Sequence, residues 1–370
     1  MIKIMKNLSI FLLLSAMLFS NCSQKSVAID DVEDIDDDNE FAEWPHDQLI
    51  YLVGFEMVEG YRVARLWKNG EVQNLSKILE NEIPLGLKFS DARSVFVSGD
   101  DVYVAGCESL FNVEETISCA RLWKNGVIEN LPSTSYFAEA FSVFVEKDDV
   151  YVLGREITPN GRWAFVVWKN GHPEIFAEVS SICKANSIFV LGEDIYVAGA
   201  VMKYYENDLQ AVLWKNGIVE NLVSESHSSE AYSVYVSGDD VYVAGTDSEA
   251  ILWKNGEKII LGHGIANSVS VSGDDIYVAG FDNLGGKLWK NGIVLKNETE
   301  TDDSKIFYSV FVKDNDIFWA GFDDFCIDKE KHLKGEDHIH TAIATIRKNG
   351  EKLRLSLDSK LSIASSVFVK

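Results

Sequence analysis

The segment SVFVSGDDVYVAG, Ser94 to Gly106, returns almost unchanged as SVYVSGDDVYVAG from Ser233 and SVSVSGDDIYVAG from Ser268. Self-similarity at a fixed period is the signature of an array in which one supersecondary unit buries its apolar face against the next copy. Counting every S-[VI]-x-V element gives Ser94, Ser142, Ser187, Ser233, Ser268, Ser309 and Ser366, at spacings of 48, 45, 46, 35, 41 and 57 residues. A second word, LWKNG, falls between them, with tryptophans at 67, 123, 168, 214, 253 and 289; the seventh copy reads IRKNG, with Arg347 in the tryptophan position.

Each unit holds four short runs, SVFV, DVYVAG, ARLWK and VIENL in the copy beginning at Ser94. They are rich in Val, Ile, Tyr and Trp and alternate with period two, which is the strand pattern. SGDD separates the first two, and NG, a strong hairpin signal because both positions accept positive φ, separates the last two. The expected fold is therefore all-β, a β-propeller of four-stranded antiparallel blades. LIYLVG at Leu49 to Gly54 is a second strand lacking its first, and SVFVK at the end is a first strand lacking its successors. Pairing the C-terminal strand with the N-terminal blade predicts seven blades over residues 49–370, with no open sheet edge at the closure.

The second-strand word, a hydrophobic pair around Tyr followed by Gly, with Trp on the next strand, resembles kelch-type propeller repeats. AG or VG stands where kelch repeats carry a double glycine. Ahead of the body, two lysines precede an apolar run of 12 residues, Leu8 to Phe19, too short to span a bilayer and typical of a signal peptide over residues 1–21. FSNC, ending in Cys22, resembles the cleavage motif of bacterial lipoproteins; signal cleavage with an incidental cysteine is the other reading. Residues 22–48, with ten acids and one lysine after Cys22, read as an extended, self-repelling tether. As a whole the chain resembles exported propeller lipoproteins of bacteria, whose functions are mostly unassigned. That resemblance implies export to the cell envelope and membrane anchoring through lipidated Cys22.

The formal charge of −24 argues against nucleic acid as a partner, since phosphate recognition needs Lys and Arg. Propeller geometry then separates repeat-wide residues from those that vary. Acid pairs such as Asp148 and Asp149 face the lysines of the KNG turns on one face, where mutual compensation is expected. On the other face, A-x-S places Arg93, Phe141, Asn186, Tyr232, Asn267, Tyr308 and Ser365 at one equivalent position near the channel mouth. Loops there add Trp163, Tyr204, Tyr205, Phe281 and Phe322. Stacking faces interleaved with amide, hydroxyl and guanidinium groups suit a sugar, and the same aromatics could instead pack the loops onto the blade ends.

HLKGEDHIH in the longest loop supplies His332, His338 and His340 as candidate metal ligands, or unrelated histidines of a solvated loop. Cys107 follows a second strand and Cys119 precedes a third, which predicts a disulfide, permissible after export. No nucleophile, phosphate-loop or dinucleotide motif emerges and no cofactor is implied. The expected function is a binding module for a glycan or protein ligand on the variable face. The alternatives are a glycan hydrolase or lyase with acids in the 322–343 loop (Asp323, Asp324, Asp328) and a structural or assembly role.

Overall fold

The computed structural model describes residues 42–76, 87–111, 116–179, 183–202, 208–224, 228–297, 304–326, 340–357 and 361–370. Among these, 28 strands, β1 to β28 in chain order, are the regular structure. Four-stranded antiparallel meanders recur: β8 to β11 within 138–179, β12 to β15 within 184–221, β16 to β19 within 229–262, β20 to β23 within 265–297 and β24 to β27 within 304–353. The remaining strands form two further antiparallel runs. β28 (Ser362–Val369), β1 (Ile50–Val58), β2 (Tyr61–Lys68) and β3 (Glu71–Asn74) make one, and β4 to β7 within 87–130 make the other; a single parallel bridge, Arg62↔Phe89, joins them. The chain's last strand thus lies antiparallel to its first, from Ile50↔Val369 to Glu56↔Ser362.

The KNG turns explain why each hairpin closes where it does. Asn and Gly at 125–126, 170–171 and the equivalent positions both take positive φ, as a two-residue hairpin turn requires. Asn125 Oδ1 accepts from Val102 N at 2.9 Å, its Nδ2 donates to Asp101 at 2.7 Å, and Lys124 pairs with the same carboxylate at 2.9 Å. The arrangement returns at Asp149, Asp194, Asp240 and Asp275. Hydrogen bonds from the turn lysines and asparagines hold these carboxyls below the usual range.

Packing is equally periodic. Trp168 is fully buried against Tyr103, Ala105 and Leu122 of the preceding unit, and its Nε1 donates to Pro132 O at 2.7 Å. Trp214, Trp253 and Trp289 repeat the contact, while Trp67 packs on Phe318, Ile346 and Leu353 from the other end of the chain. Where Arg347 replaces the tryptophan, the ring has moved to the neighbouring strand: Trp319↔Arg347 stands where Val104↔Trp123 stands elsewhere. Bulk is thereby conserved in that unit.

The first strands, β4 (Leu87–Ser98), β8 (Ala138–Glu146), β12 (Lys184–Leu191), β16 (Ser229–Ser237), β20 (Ile265–Ser272), β24 (Ser304–Lys313) and β28, converge on one another through the repeated serine. Val143 N donates to Ser94 Oγ, Ile188 N to Ser142, Val234 N to Ser187, Val269 N to Ser233, Val310 N to Ser268 and Val367 N to Ser309. Val95 N donates to Ser366 Oγ, so the series returns to its start, all at 3.1–3.4 Å. Two residues on, Phe311, Phe368, Phe96, Phe144, Phe189 and Tyr235 stack in succession with centroids 4.5–5.0 Å apart. The seventh equivalent position is Ser270, which is only 5% exposed. Ser270→Phe is expected to overpack the belt and cost about 1–3 kcal/mol in urea unfolding; a gain in stability would show instead that the belt has a hole.

The predicted tether is shorter than expected at its C-terminal end. Ala42 bridges to Leu353, Trp44 Nε1 donates to Arg354 O at 2.9 Å, and Gln48 bonds Asp316 and Lys348, so residues 42–48 belong to the body. Eight of the ten acids lie before residue 42, and Trp44 brings an aromatic ring to the body. The expected signal peptide, Cys22 and the rest of the tether lie outside the described residues.

Candidate functional site

At each A-x-S word, and at Phe307-Tyr308-Ser309 on β24, the first strand carries a β-bulge. Pairing passes from Ala92↔Gly106 to Ser94↔Ala105 and leaves Arg93 without a cross-strand partner. The same step isolates Phe141, Asn186, Tyr232, Asn267, Tyr308 and Ser365. A bulge re-aims its extra side chain and kinks the strand, which is why one position per unit is half-buried and free to vary. The bulge also explains the second-strand glycine: a Cβ at Gly106 would lie 1.9 Å from Asp91 O.

The re-aimed side chains bond to one another's backbones. Arg93 Nη1 donates to Ala140 O at 3.5 Å, Asn186 Nδ2 to Ala231 O at 2.8 Å and Asn267 Nδ2 to Phe307 O at 2.8 Å, each at the residue before the next bulge. Donors therefore alternate with Phe141, Tyr232 and Tyr308. Burial, and then the neighbouring Glu230 charge, push the Tyr232 phenol well up; burial pushes Tyr308 up to about 12.

Two positions before each bulge, paired with the residue after the glycine, the units divide into two sets. Asp91↔Cys107, Glu139↔Arg155, Lys184↔Ala200 and Glu230↔Thr246 make a polar arc, and Ile265↔Phe281, Ile306↔Phe322 and Ile363↔Phe55 an apolar one. On the apolar arc, Phe322 is 1% exposed in a cluster with Phe55, Ala342 and Ile363, and Tyr308 rests 5.9 Å from its ring. Phe322 is packing, contrary to the ligand-binding expectation, because its strand faces the core there. Phe281 is half-buried.

The polar arc holds the charged groups. Arg155, on β9 (Asp149–Ile157), grips Glu139 with Nε at 3.1 Å and Nη2 at 2.8 Å, while Arg93 Nη2 reaches the other oxygen at 3.3 Å. Arg62 pairs with Asp91 at 3.1 Å. Each guanidinium lies over rings: Arg62 over Phe55 at 4.2 Å, Arg93 over Phe141 at 5.3 Å, and Arg155 over Trp163, Phe137 and Phe141 at 4.8, 5.6 and 5.6 Å. Beside them, Glu230 accepts from Lys184 at 2.5 Å and Asn186 at 3.0 Å. Of the residues expected from the sequence, Arg93, Phe141 and Trp163 lie beside Arg62, Asp91, Glu139 and Arg155, and Asn186 and Tyr232 beside Glu230, five neighbours that the sequence reading does not name. The signal was present in the position two before the bulge, charged in four units and aliphatic in three.

Burial works against the Glu139 charge, yet Arg93 and Arg155 outweigh it and hold the carboxyl below its ordinary value. A depressed carboxyl contributes stability above its unfolded pKa and loses it as pH falls through the folded value. Melting temperature is therefore expected to drop below about pH 4.3, and the drop should shrink in Glu139→Gln. An equal acid response in the variant would assign it to the turn aspartates alone.

Other expectations fall away. Cys107 pairs with Ala120 and Cys119 with Glu108, so the two cysteines are one register apart and point to opposite faces of the sheet. Both are unoxidised, and the disulfide is not formed. Burial also pushes the Cys107 thiol up, which keeps it unreactive. Asp323, a candidate acid of the hydrolase reading, is 1% exposed. It accepts from Arg347 with both oxygens, at 3.2 and 3.1 Å, and pairs with Lys352 at 3.3 Å, a structural ion pair. Strands β25 (Asp316–Cys326) and β26 (His340–Lys348) reach far into the expected loop. Tyr204, Tyr205, Asp328, His332 and His338 lie outside the described residues, and of Asp324 and His340 only the backbone is described. Among the described residues no group of three His, Cys, Asp or Glu side chains is placed to hold a metal ion.

No protein-family model matches the chain, and no curated protein matches it in sequence. Its structural neighbours include β-propeller domains. The WD40 β-propeller domain of Doa1 is 14% identical over 74% of this chain and 92% of its own, with a TM-score of 0.38. The β-propeller domain of the Trilobed protease from Pyrococcus furiosus is 11% identical over 73% and 97%, with a TM-score of 0.36. The GH43_1 enzyme from Xanthomonas citri, complexed with xylose, is 8% identical over 74% and 91%, with a TM-score of 0.36. The chain spans 51% of the length of an acylaminoacyl peptidase to which it is 13% identical over 85% of its own length, with a TM-score of 0.46.

Proposed function

We propose that the chain is a closed seven-bladed β-propeller with kelch-like repeats, exported, anchored to a bacterial cell envelope through lipidated Cys22, and used as a binding module for a glycan or protein ligand. The observation that carries the reading is the contrast between its two faces. Turn residues on one face recur with the same bonds, Lys169 to Asp149 at 2.8 Å and Lys215 to Asp194 at 2.8 Å. At the bulges of the other face the backbone is constant and the side chain is not, so conserved geometry presents a unit-specific surface, the arrangement a binding site needs.

A glycan array and a pull-down with the full-length protein test the binding reading, with hydrolase assays alongside. Trp163→Ala is expected to weaken the ligand found by roughly 1–3 kcal/mol, as truncation of an aromatic hot spot does, and Lys169→Ala on the turn face to leave it unchanged. Loss of binding in Lys169→Ala, with Trp163→Ala unaffected, would place the site on the wrong face. Anchoring is tested separately: Cys22→Ala should leave the membrane fraction, and a variant that still sediments in high salt contradicts the lipid anchor.

A further inference from the structure

We propose that Arg62, Arg93 and Arg155 form the binding site for a carboxylate-bearing saccharide, a uronate unit of an acidic glycan; the inference rests on the binding reading above and names its ligand class. Along the polar arc the charges alternate as Arg62, Asp91, Arg93, Glu139 and Arg155, with successive pairs at 3.1, 4.0, 3.3 and 2.8 Å. A row that starts and ends on a cation carries one positive charge that its own carboxylates do not cancel. In a chain of net charge −24 this surplus is no part of a generally basic surface.

The row is also layered. The Asp91 and Glu139 side chains are 11% and 6% exposed, whereas those of Arg62, Arg93 and Arg155 are 21%, 26% and 26% exposed, so an approaching ligand meets guanidinium and not carboxylate. Rings hold those guanidiniums in place: Phe55 carries Arg62, and Phe141 lies against both Arg93 and Arg155. Less side-chain freedom is then lost on binding, and a planar fork suits a carboxylate. Arg155 commits Nε and Nη2 to Glu139, which leaves Nη1 without a partner among the described residues.

A ring of the ligand is needed as well as its charge. Half-buried Trp163 stands 4.8 Å from the Arg155 guanidinium and meets Phe137 edge-on at 5.2 Å, a fixed apolar platform beside the cation. A pyranuronate offers both complements, a C–H face for the indole and a carboxylate for the guanidinium. An acidic peptide brings carboxylates without a rigid ring for the indole to stack on.

The test is calorimetric titration of the full-length protein with trisaccharides of galacturonate, glucuronate and mannuronate, their methyl esters, and hexaglutamate. At least one uronate is expected to bind, to weaken at least about tenfold on esterification, which removes the charge and keeps the ring, and to weaken with added salt. Arg155→Gln should lose at least about tenfold on the acid and little on the ester. The acid and ester comparison needs no variant, so it decides the matter even where Arg155→Gln fails to fold. Equal affinity for acid and ester overturns the ligand class and leaves the binding reading intact, and so does binding confined to neutral array glycans. Hexaglutamate bound as tightly as the best uronate would make the partner an acidic peptide and overturn the saccharide. No binding of any saccharide or peptide, on the array or in solution, overturns both readings.

Discussion

Deleting Ser366 to Lys370 is expected to unfold the protein or lower its stability by about 5 kcal/mol or more, against the 5–15 kcal/mol that domains usually possess. These five residues supply most of the β28 pairing with β1 and the Ser366 hydroxyl that accepts from Val95 N at 3.4 Å. They also carry three side chains that other units need. Val367 and Val369 are buried with Ile50, Leu52 and Trp67, and the Phe368 ring lies 4.7 Å from Phe311 and 4.9 Å from Phe96. Burying such side chains contributes roughly 1.5–3 kcal/mol each, and their loss bares the edge of β1 as well. Urea unfolding measures the effect, and an unchanged midpoint would show that the terminal strand is dispensable.

Gly154→Ala is expected to cost about 3 kcal/mol or more, beyond the range of ordinary overpacking. The added Cβ would meet Glu139 O at 2.1 Å, the Trp168 ring at 2.6 Å and Ala140 Cα at 3.1 Å. Two of these are backbone atoms of the bulge, so relief requires the bulge to open, which would move Phe141 and part Glu139 from Arg155. Gly171→Ala is the control. Its φ is +78° but nothing lies within 4 Å, so it should cost only the left-handed penalty of about 1–2 kcal/mol. Equal losses at the two positions would mean that the close approach at Gly154 relaxes without strain.

That pair of glycines shows what the sequence could reveal. Gly171 announces itself in Asn-Gly, a local signal with a local cause, and the same holds for the strands, whose period and turns are short-range. Gly154 is visible as a repeated letter, but its reason lies 13 residues away in the bulge at Phe141. The A-x-S word marks the bulged positions of Arg93, Phe141, Asn186 and Tyr232, since a constant backbone with a variable side chain gives that pattern. Arg155 and Glu139 escaped notice because their pairing is set by strand register, and the expected Cys107–Cys119 disulfide failed for the same reason, a slip of one residue. Asp323 was misread because its partner, Arg347, sits in a position that elsewhere is tryptophan, and the compensating ring, Trp319, lies on another strand.

The bulged face is expected to engage the ligand while the KNG face holds the fold. Hydrogen–deuterium exchange of the full-length protein, with and without the tightest ligand found on the array, tests it most directly. Protection is expected in peptides covering 61–64, 91–93, 138–141 and 154–163, with no change at 147–150 or 168–172. Protection confined to the 147–150 and 168–172 turns would contradict it.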